Sequence, residues 1–544
     1  MKARHLVWTC GAAALAVTAA PAVAATHAMA AQRCAALKGL KLANTEINSA
    51  VFVDAGPYTG NNAQIDGVGI TLPAHCRVIG TIKPAPRSNI VFETWLPATG
   101  WNGKFHGAGN GGFAGDINYR GGLVEGTARG YAVASTDTGH APGGFTAPWA
   151  VGNPDAQIDY GHRAIHLTAV NSKAIIEAYY GRKPSLSVFS ACSNGGRQAL
   201  MAAQRYPEDY DGIIAGAPAW DFTRLSQIFI WNGASLTRTP GSNIPPTKLP
   251  AIEAAVLAQC DALDGQKDGL VRDPRACRFD PKPLRCTGAD GDSCLTGDQV
   301  AALADILRGP PIARAPRIGY EPAGAEAHRG GWAPWISSND PMMTGAGVFG
   351  LGLPRFFANM PDASFANFDF SRDGPFLDKT IGPILNANST DLSAFFARGG
   401  KLILYHGWGD AAIPPQMSIE YYERVRARMG AAAEQNMRLF MVPGMQHCNA
   451  GPGLNSFGQG APPYPGARPE EDIGAALEAW VTRGRAPEEL VAVSASNFLV
   501  GPMDRRLAKT ERSGLLCAFP RVAIWNGSGA PDHFTSFRCE IPRH

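Results

Sequence analysis

The chain has 544 residues, enough for one large domain with an insertion or for more than one domain. Hydrophobic residues make up 45% of it and charged residues 17%, which places it with globular proteins that bury a sizeable core. The formal net charge of +3 is too small to indicate binding to nucleic acid or to an anionic membrane surface. We therefore expect neither of these partners.

The N-terminus has the pattern of an export signal over residues 1–30. Lys2 and Arg4 precede an alanine-rich apolar run, and small residues suited to cleavage follow at 22–24 and 28–30. The run is too short to favour a transmembrane helix, which needs about 20 predominantly apolar residues. This pattern predicts a secreted or periplasmic protein.

Cysteine usage agrees with export. Ten of the 11 cysteines remain after the predicted signal, and an even number in an exported chain indicates disulfides. Sequence alone does not decide the pairing. Proximity along the chain suggests the pairs Cys260 with Cys277, Cys286 with Cys294, and Cys517 with Cys539. Cys34 and Cys76 would then staple the mature N-terminus, which leaves Cys192 and Cys448.

Apolar segments predict a sheet that is interrupted in the middle of the chain. The predicted strands are residues 90–96, 131–135, 186–189, 212–216, 401–405 and 438–442. Residues 223–393 lack this regular alternation of strands and helices and are rich in proline, glycine and cysteine. We predict an α/β fold, with a core of residues 31–222 and 394–544 and an inserted lid domain of residues 223–393.

The turn around Ser193 is the most informative local pattern. A predicted strand ends before it and a helical pattern over residues 198–206 follows, so the small residues between them form a sharp turn. Such a strand–turn–helix unit presents a serine hydroxyl at the top of an α/β-hydrolase sheet. Ala191 replaces the usual first glycine of the motif. Taken alone, the turn also fits an ordinary strand–helix corner.

Two later loops offer partners for a serine nucleophile. Asp410 follows the predicted strand 401–405, and His447 follows the predicted strand 438–442. The chain order Ser193, Asp410, His447 is the order expected of a triad in this fold. Either residue by itself would be read as an ordinary surface side chain, so the prediction depends on all three together.

Cysteines adjoin two of these three residues. Cys192 precedes Ser193 and Cys448 follows His447, so a contact between serine and histidine would bring the cysteines within disulfide range. We expect a Cys192–Cys448 bridge. Two different interpretations are that Cys192 is a thiol nucleophile or that it is an unrelated packing cysteine.

An oxyanion hole requires two N–H donors near the nucleophile. The backbone N–H of Asn194 follows the serine, and the glycine-rich segment 101–112 offers a second donor at Gly112. We predict that these two groups stabilise the oxyanion formed when Ser193 attacks an ester carbonyl.

Four motifs together resemble the tannase/feruloyl esterase family, which also includes enzymes that hydrolyse mono(2-hydroxyethyl) terephthalate. They are Trp101-Asn-Gly, Cys192-Ser193-x-Gly-Gly, Tyr405-His-Gly-x-x-Asp410 and Val442-Pro-Gly-Met-x-His447-Cys448. The resemblance runs over nearly the whole mature chain. It implies an α/β-hydrolase core with a lid, the five cysteine pairs named above, and esterase activity on aromatic carboxylic esters. It also implies that Trp335 faces the substrate, although a packing role in the lid is equally open, and Ile413 is expected to border the acyl pocket.

The lid segment that starts at Cys260 contains an acidic loop. Asp261, Asp264 and Asp268 are hard oxygen ligands of the kind that Ca²⁺ prefers, but their spacing is not that of an EF-hand, so the loop also fits a solvated acidic turn. The family resemblance implies a structural calcium ion here, with the carbonyl groups of Gln266 and Leu270 completing its ligands. No organic cofactor is expected.

These observations favour a secreted serine esterase acting on feruloyl or other hydroxycinnamoyl esters, or on galloyl esters. We expect a small aromatic ester as substrate, free or attached to plant polysaccharide or polyphenol. A terephthalate monoester hydrolase is less favoured, because no arginine closely follows Trp335 and Arg355 lies beyond a glycine-rich loop. Two further classes are compatible with the motifs: a peptidase using the same triad, and a non-catalytic binding protein for polyphenol or polysaccharide on a hydrolase scaffold.

Overall fold

The computed structural model describes residues 20–60, 70–495 and 510–542. The helices are α1 Ala20–Ala36, α2 Val124–Ala128, α3 Pro154–Ile158, α4 Ala164–Tyr180, α5 Asn194–Arg205, α6 Phe222–Thr237, α7 Leu249–Cys260, α8 Gly297–Arg308, α9 Trp332–Trp335, α10 Asp373–Thr380, α11 Gly382–Leu385, α12 Ser393–Ala397, α13 Gln416–Met429, α14 Ala431–Asn436 and α15 Ile473–Arg483. The strands are β1 Thr45–Val53, β2 Gly56–Pro57, β3 Thr71–Leu72, β4 His75–Ile82, β5 Ile90–Pro97, β6 Lys104–Ala108, β7 Ala132–Thr136, β8 Leu186–Cys192, β9 Gly212–Gly216, β10 Lys401–Gly407, β11 Met437–Val442, β12 Glu489–Ala495, β13 Thr510–Cys517, β14 Val522–Trp525 and β15 Phe537–Glu540.

Nine of these strands form the central sheet, in the order β1-β4-β5-β7-β6-β8-β9-β10-β11. Strands β6 to β11 run parallel to their neighbours, whereas β1, β4 and β5 pair antiparallel and join the rest through β7. All six predicted strands lie in this sheet, with ends displaced by up to three residues. The α/β-hydrolase fold class predicted from sequence is confirmed.

Helices cover both faces of the parallel part of the sheet, which explains its continuous apolar strands. In β10, Leu402 and Leu404 pack into the main core, while Ile403 and Tyr405 pack into a second cluster with Trp480 of α15. All four of these β10 side chains are buried. Burying each such side chain contributes about 1.5–3 kcal/mol relative to leaving it exposed. This layering fixes the strand ends from which the site loops emerge.

The chain between β9 and β10 leaves the sheet. Residues 217–400, all of them described, form helices α6 to α12 and short turns without a strand. The predicted lid boundaries, 223 and 393, remain a prediction. Most of the predicted export signal, residues 1–19, lies outside the described residues. Within the described ranges, no helix combines the length and the apolar character needed to span a bilayer.

All five predicted disulfides are present. The pairs are Cys34–Cys76, Cys192–Cys448, Cys260–Cys277, Cys286–Cys294 and Cys517–Cys539, with Cα–Cα distances between 5.0 and 5.8 Å. The first of them links α1 to β4, which agrees with the predicted cross-link at the mature N-terminus. The second joins Cys192, the last residue of β8, to the loop that follows β11.

Candidate active site

Ser193 lies on a strained turn between β8 and α5. Its backbone has φ 67° and ψ −128°, a conformation that non-glycine residues rarely adopt and that is typical of functional sites. The following glycines allow the tight approach of helix to sheet. A Cβ on Gly195 would lie 2.6 Å from the Cβ of Ala191, and one on Gly196 would lie 2.4 Å from the carbonyl oxygen of Gly216. The turn therefore needs both glycines.

The three predicted triad residues form one hydrogen-bonded chain. The Ser193 Oγ lies 2.9 Å from Nε2 of His447, and Nδ1 of His447 lies 2.8 Å from Oδ2 of Asp410. The carboxylate of Asp410 is fully buried, and its Oδ1 accepts the backbone N–H groups of Ala412 and Ile413 at 2.8 and 2.9 Å. This arrangement allows His447 to accept the serine proton at Nε2.

A second histidine contacts the same carboxylate, and sequence reasoning missed it. His406, at the end of β10, is fully buried with Nε2 3.1 Å from Oδ2 of Asp410. Burial by itself raises the pKa of Asp410, but the adjacent His447 and His406 outweigh it and hold that pKa well below its usual range. The available signal was the Tyr405-His-Gly-x-x-Asp410 motif, in which His406 precedes the aspartate by four residues.

The Cys192–Cys448 disulfide joins the two residues next to Ser193 and His447. The Cα atoms of the two cysteines lie 5.8 Å apart. Cys448 itself has a positive φ of 66°, so both ends of the bridge adjoin strained backbone. The interpretation of Cys192 as a thiol nucleophile is wrong, because its sulfur is in a disulfide.

The two predicted oxyanion donors lie on neighbouring segments. Asn194 is the first residue of α5, so its N–H has no acceptor within the helix. Gly112 has a positive φ of 54°, and a Cβ there would lie 3.2 Å from the carbonyl oxygen of Gly144. The Tyr160 hydroxyl lies 3.0 Å from both the carbonyl oxygen of Gly112 and the Oδ1 of Asn194, which holds the two segments together.

A cavity of about 810 Å³, here called the Ser193 cavity, opens onto this arrangement. Its lining includes Ser193, His447, Gly112, Asn194, Trp335 and Ile413, which are all of the predicted triad, oxyanion and pocket residues except Asp410. Trp335 is half-buried, with its ring centroid 5.1 Å from that of His447 and 6.2 Å from that of Phe349. Phe222 and Phe229 add further aromatic surface to the lining. One wall of the cavity is therefore suited to an aromatic ring.

The cavity also contains arginines that sequence reasoning did not place there. Arg120 and Arg329 line it, whereas Arg355 donates to the carbonyl oxygen of Ala363 and lies outside the lining. The argument against a terephthalate monoester considered only the residues that follow Trp335 in sequence, whereas Arg120 and Arg329 reach the same cavity from elsewhere in the chain. Arg120 reaches the cavity from the segment between β6 and β7.

Comparisons with known proteins identify the family of the chain. The family model described as tannase and feruloyl esterase matches residues 76–540. The chain belongs to the tannase and feruloyl esterase family. Its homologues are carboxylic ester hydrolases, and the chain is one as well.

Three relatives illustrate this membership. The chain is 41% identical to an uncharacterized esterase of Xanthomonas campestris, covering 95% of this chain and 93% of that protein. It is 32% identical to mono(2-hydroxyethyl) terephthalate hydrolase of Piscinibacter sakaiensis, covering 92% and 89%. The crystal structure of feruloyl esterase B from Aspergillus oryzae superposes with a TM-score of 0.83 at 25% identity, covering 94% of this chain and 100% of that one.

The predicted calcium ligands form a separate feature, in the acidic loop of residues 261–270 after α7. The five residues are Asp261, Asp264, Gln266, Asp268 and Leu270. Three backbone N–H groups, from residues 268, 269 and 270, donate to the carboxylate of Asp261. The guanidinium of Arg272 lies 3.0 Å from Asp264 and 2.9 Å from Asp268. Arg512, in β13, lies 3.3 Å from Asp268.

The donor set of this loop fits calcium chemically. Three carboxylates and two backbone carbonyl groups are all hard oxygen donors, and the two nearby guanidinium groups carry less charge than the three carboxylates. The side chains are not gathered around one point, however. Whichever oxygen is taken from each of Asp261, Asp264 and Asp268, at least two of the three atoms are more than 4.8 Å apart. A calcium ion would therefore have to displace the guanidinium of Arg272 and bring the three carboxylates closer together.

Another cluster has the shape of a metal site but not its chemistry. Cys286, Asp290 and Cys294 bring their sulfur and oxygen atoms within 4.8 Å of one another. Both sulfurs belong to the Cys286–Cys294 disulfide, so they offer no thiolate ligand. We therefore assign no metal to this cluster.

Proposed function

We propose that this chain is a secreted serine esterase that hydrolyses esters of aromatic carboxylic acids through a Ser193–His447–Asp410 triad. The observation that carries the proposal is the continuous hydrogen-bonded chain from the Ser193 Oγ to the buried carboxylate of Asp410, opening onto a cavity with an aromatic wall. Secretion is supported by the export pattern at residues 1–30 and by the five disulfides.

The reaction proceeds through an acyl-enzyme. The Oγ of Ser193 attacks the ester carbonyl carbon while Nε2 of His447 takes its proton, and the carbonyl oxygen becomes an oxyanion. The N–H groups of Gly112 and Asn194 stabilise that oxyanion. The tetrahedral intermediate collapses with loss of the alcohol, which receives the proton from His447. Water activated by His447 then attacks the acyl carbonyl and releases the acid and Ser193.

The aromatic wall supports an acyl group with a ring, and we favour feruloyl and related hydroxycinnamoyl esters over galloyl esters. Trp335 and Phe349 lie nearly parallel and offer their surfaces to a ring bound near His447. Two relatives, named feruloyl esterase B and mono(2-hydroxyethyl) terephthalate hydrolase, support the hydrolysis of an ester whose acyl group carries an aromatic ring. Because Arg120 and Arg329 line the Ser193 cavity, a terephthalate monoester with its free carboxylate is the second candidate.

The first test is turnover of the purified enzyme on methyl ferulate, methyl gallate and mono(2-hydroxyethyl) terephthalate, with Ser193→Ala as the blank. We expect the highest kcat/KM on methyl ferulate and no turnover by the blank. A preference for mono(2-hydroxyethyl) terephthalate would instead assign the acyl pocket to terephthalate. The anilide of ferulic acid, tested alongside, should remain uncut, since cleavage would indicate a peptidase.

Labelling with a fluorophosphonate separates an enzyme from a non-catalytic binding protein. The expected result is one label per molecule, located at Ser193 and missing from Ser193→Ala. A binding protein on a hydrolase scaffold would remain unlabelled, because an ordinary serine hydroxyl does not react with this reagent. That outcome would reject the proposed function whatever the protein binds.

A structural calcium ion in the acidic loop is the second part of the proposal. The side chains of Asp261, Asp264 and Asp268, with the carbonyl groups of Gln266 and Leu270, would hold it. The hard oxygen chemistry of this set supports the assignment. When bound, the ion cross-links a loop that the Cys260–Cys277 disulfide already encloses. We assign it no part in the reaction, since none of the five residues lines the Ser193 cavity.

Thermal unfolding of the full-length enzyme with EDTA or with added CaCl₂ tests this ion, with bound calcium measured by atomic emission. We expect one bound calcium per chain and a Tm that falls by several degrees in EDTA. Asp264→Asn should lose the response to calcium, because it removes a ligand charge. The control Asp273→Asn, which removes a carboxylate paired with Arg275 outside the loop, should keep it. Equal Tm values in both solutions with no bound calcium would reject the ion and leave Arg272 and Arg512 as the cations of the loop.

A further inference from the structure

We propose that His406 is a positioning residue that fixes the orientation of the Asp410 carboxylate, with Ser418 fixing the tautomer of His406. The proposal rests on the proposed function, because it assigns His406 a role in the Ser193 triad. Neither side chain lines the Ser193 cavity, and both are fully buried behind Asp410. They therefore act only through the aspartate.

The neighbours of His406 decide which ring nitrogen carries the proton. Its Nε2 lies 3.1 Å from Oδ2 of Asp410 and 3.0 Å from the backbone carbonyl oxygen of Ile413. Both of these oxygens are acceptors only, so Nε2 carries the hydrogen. Nδ1 then accepts the hydroxyl hydrogen of Ser418, whose Oγ lies 2.7 Å away in the first turn of α13. The Ser418 hydroxyl thereby favours the tautomer that donates to Asp410.

His406 completes the hydrogen bonding of a buried carboxylate. An ionised carboxylate accepts about four hydrogen bonds, two on each oxygen. Oδ1 of Asp410 accepts two backbone N–H groups, and Oδ2 accepts one N–H from His447 and one from His406, which His406 shares with the carbonyl oxygen of Ile413. With all four positions filled, the carboxylate has no second orientation of equal energy. Without His406, Oδ2 would lose one of its two donors in a fully buried site.

The test compares His406→Leu with His406→Gln in the full-length enzyme. Leucine removes the donor, whereas glutamine can place its amide N–H near the position of the histidine Nε2. Hydrogen bonds to charged groups are among the strongest in proteins, so we expect kcat of His406→Leu to fall about tenfold or more with KM unchanged. His406→Gln should recover most of kcat. Ser418→Ala removes only the hydroxyl that favours one tautomer of His406. Its kcat should lie between those of the wild type and His406→Leu.

The matched control is His75→Leu, which removes another buried histidine, on β4, whose Nδ1 contacts the carbonyl oxygen of Pro73. Activity is expressed per molecule able to react with fluorophosphonate, so loss of folded protein does not count as loss of kcat. A purely structural role for His406 predicts lower Tm with unchanged kcat, and this result, or an equally slow His406→Gln, would overturn the proposal. Failure of the proposed function would instead appear as turnover that survives Ser193→Ala.

Discussion

Asp410→Asn is expected to lower kcat by about 10⁴-fold while the protein still folds. The orientation of the new amide is dictated by its neighbours. The backbone N–H groups of Ala412 and Ile413 require an acceptor at the Oδ1 position, so the amide NH₂ takes the position of Oδ2. There it donates to Nδ1 of His447, and the ring proton moves to Nε2. The N–H of His406 loses its acceptor on residue 410 but keeps the carbonyl oxygen of Ile413. A protonated Nε2 cannot accept the proton of Ser193, so the attack on the ester loses its base.

The control for this substitution is Asp209→Asn. Asp209 is also buried and accepts from a histidine, with its Oδ2 2.8 Å from Nδ1 of His166, but neither residue lines the Ser193 cavity. We expect its kcat to match the wild type even if Tm falls. Steady-state kinetics on the best ester of the panel measures both variants. A kcat for Asp410→Asn within tenfold of the wild type would contradict the assignment of Asp410.

Removal of the Cys192–Cys448 bridge by a double substitution to serine is expected to lower kcat about 10²-fold. The bridge joins the residues adjacent to the nucleophile and the base, across 256 positions of sequence. Without it, the two loops can move apart, and a displacement of about 1 Å in a reacting geometry can cost about 10²-fold in rate. The comparison is made well below Tm, so that the measured loss reports on geometry and not on unfolding.

The matched control replaces Cys34 and Cys76, a buried disulfide that ties α1 to β4 far along the sheet from Ser193. Both double variants lose a cross-link and are expected to lose stability. Only the Cys192–Cys448 variant should also lose kcat per folded molecule. Unchanged turnover in that variant would show that the folded sheet alone holds Ser193 and His447 at the required distance.

Much of the site could be predicted from sequence because its parts are local patterns. The strand–turn–helix around Ser193 needs small residues at fixed offsets, and Gly195 and Gly196 meet that need within three residues of the serine. Asp410 and His447 each follow an apolar strand within a few residues. Parallel strands end at one edge of a sheet, so chain order was enough to predict their meeting. The adjacent cysteines added a long-range restraint.

Contacts that depend on where distant segments lie could not be predicted in this way. The second histidine on Asp410 was visible in its motif, but its contact with Ser418 depends on how α13 packs behind β10. The acidic loop has the composition of a calcium site, but packing also brings Arg272 to it. That arginine lies 4.5 Å from the centre of the Phe537 ring, which comes from the far end of the chain. Composition gives the available ligands, whereas packing determines which partner each one meets.

The sequence by itself determined the fold class and the three residues that make the Ser193–His447–Asp410 chain, because strand periodicity, turn chemistry and chain order are encoded over short stretches. The five cysteine pairs followed from proximity along the chain and from the family resemblance, not from these local patterns. Only the tertiary structure decided what surrounds them: the aromatic wall, the arginines of the Ser193 cavity and the four donors on Asp410. Arg120 and Arg329 are 209 positions apart in sequence yet line one cavity. Side chains that no local pattern relates meet only when the chain has packed.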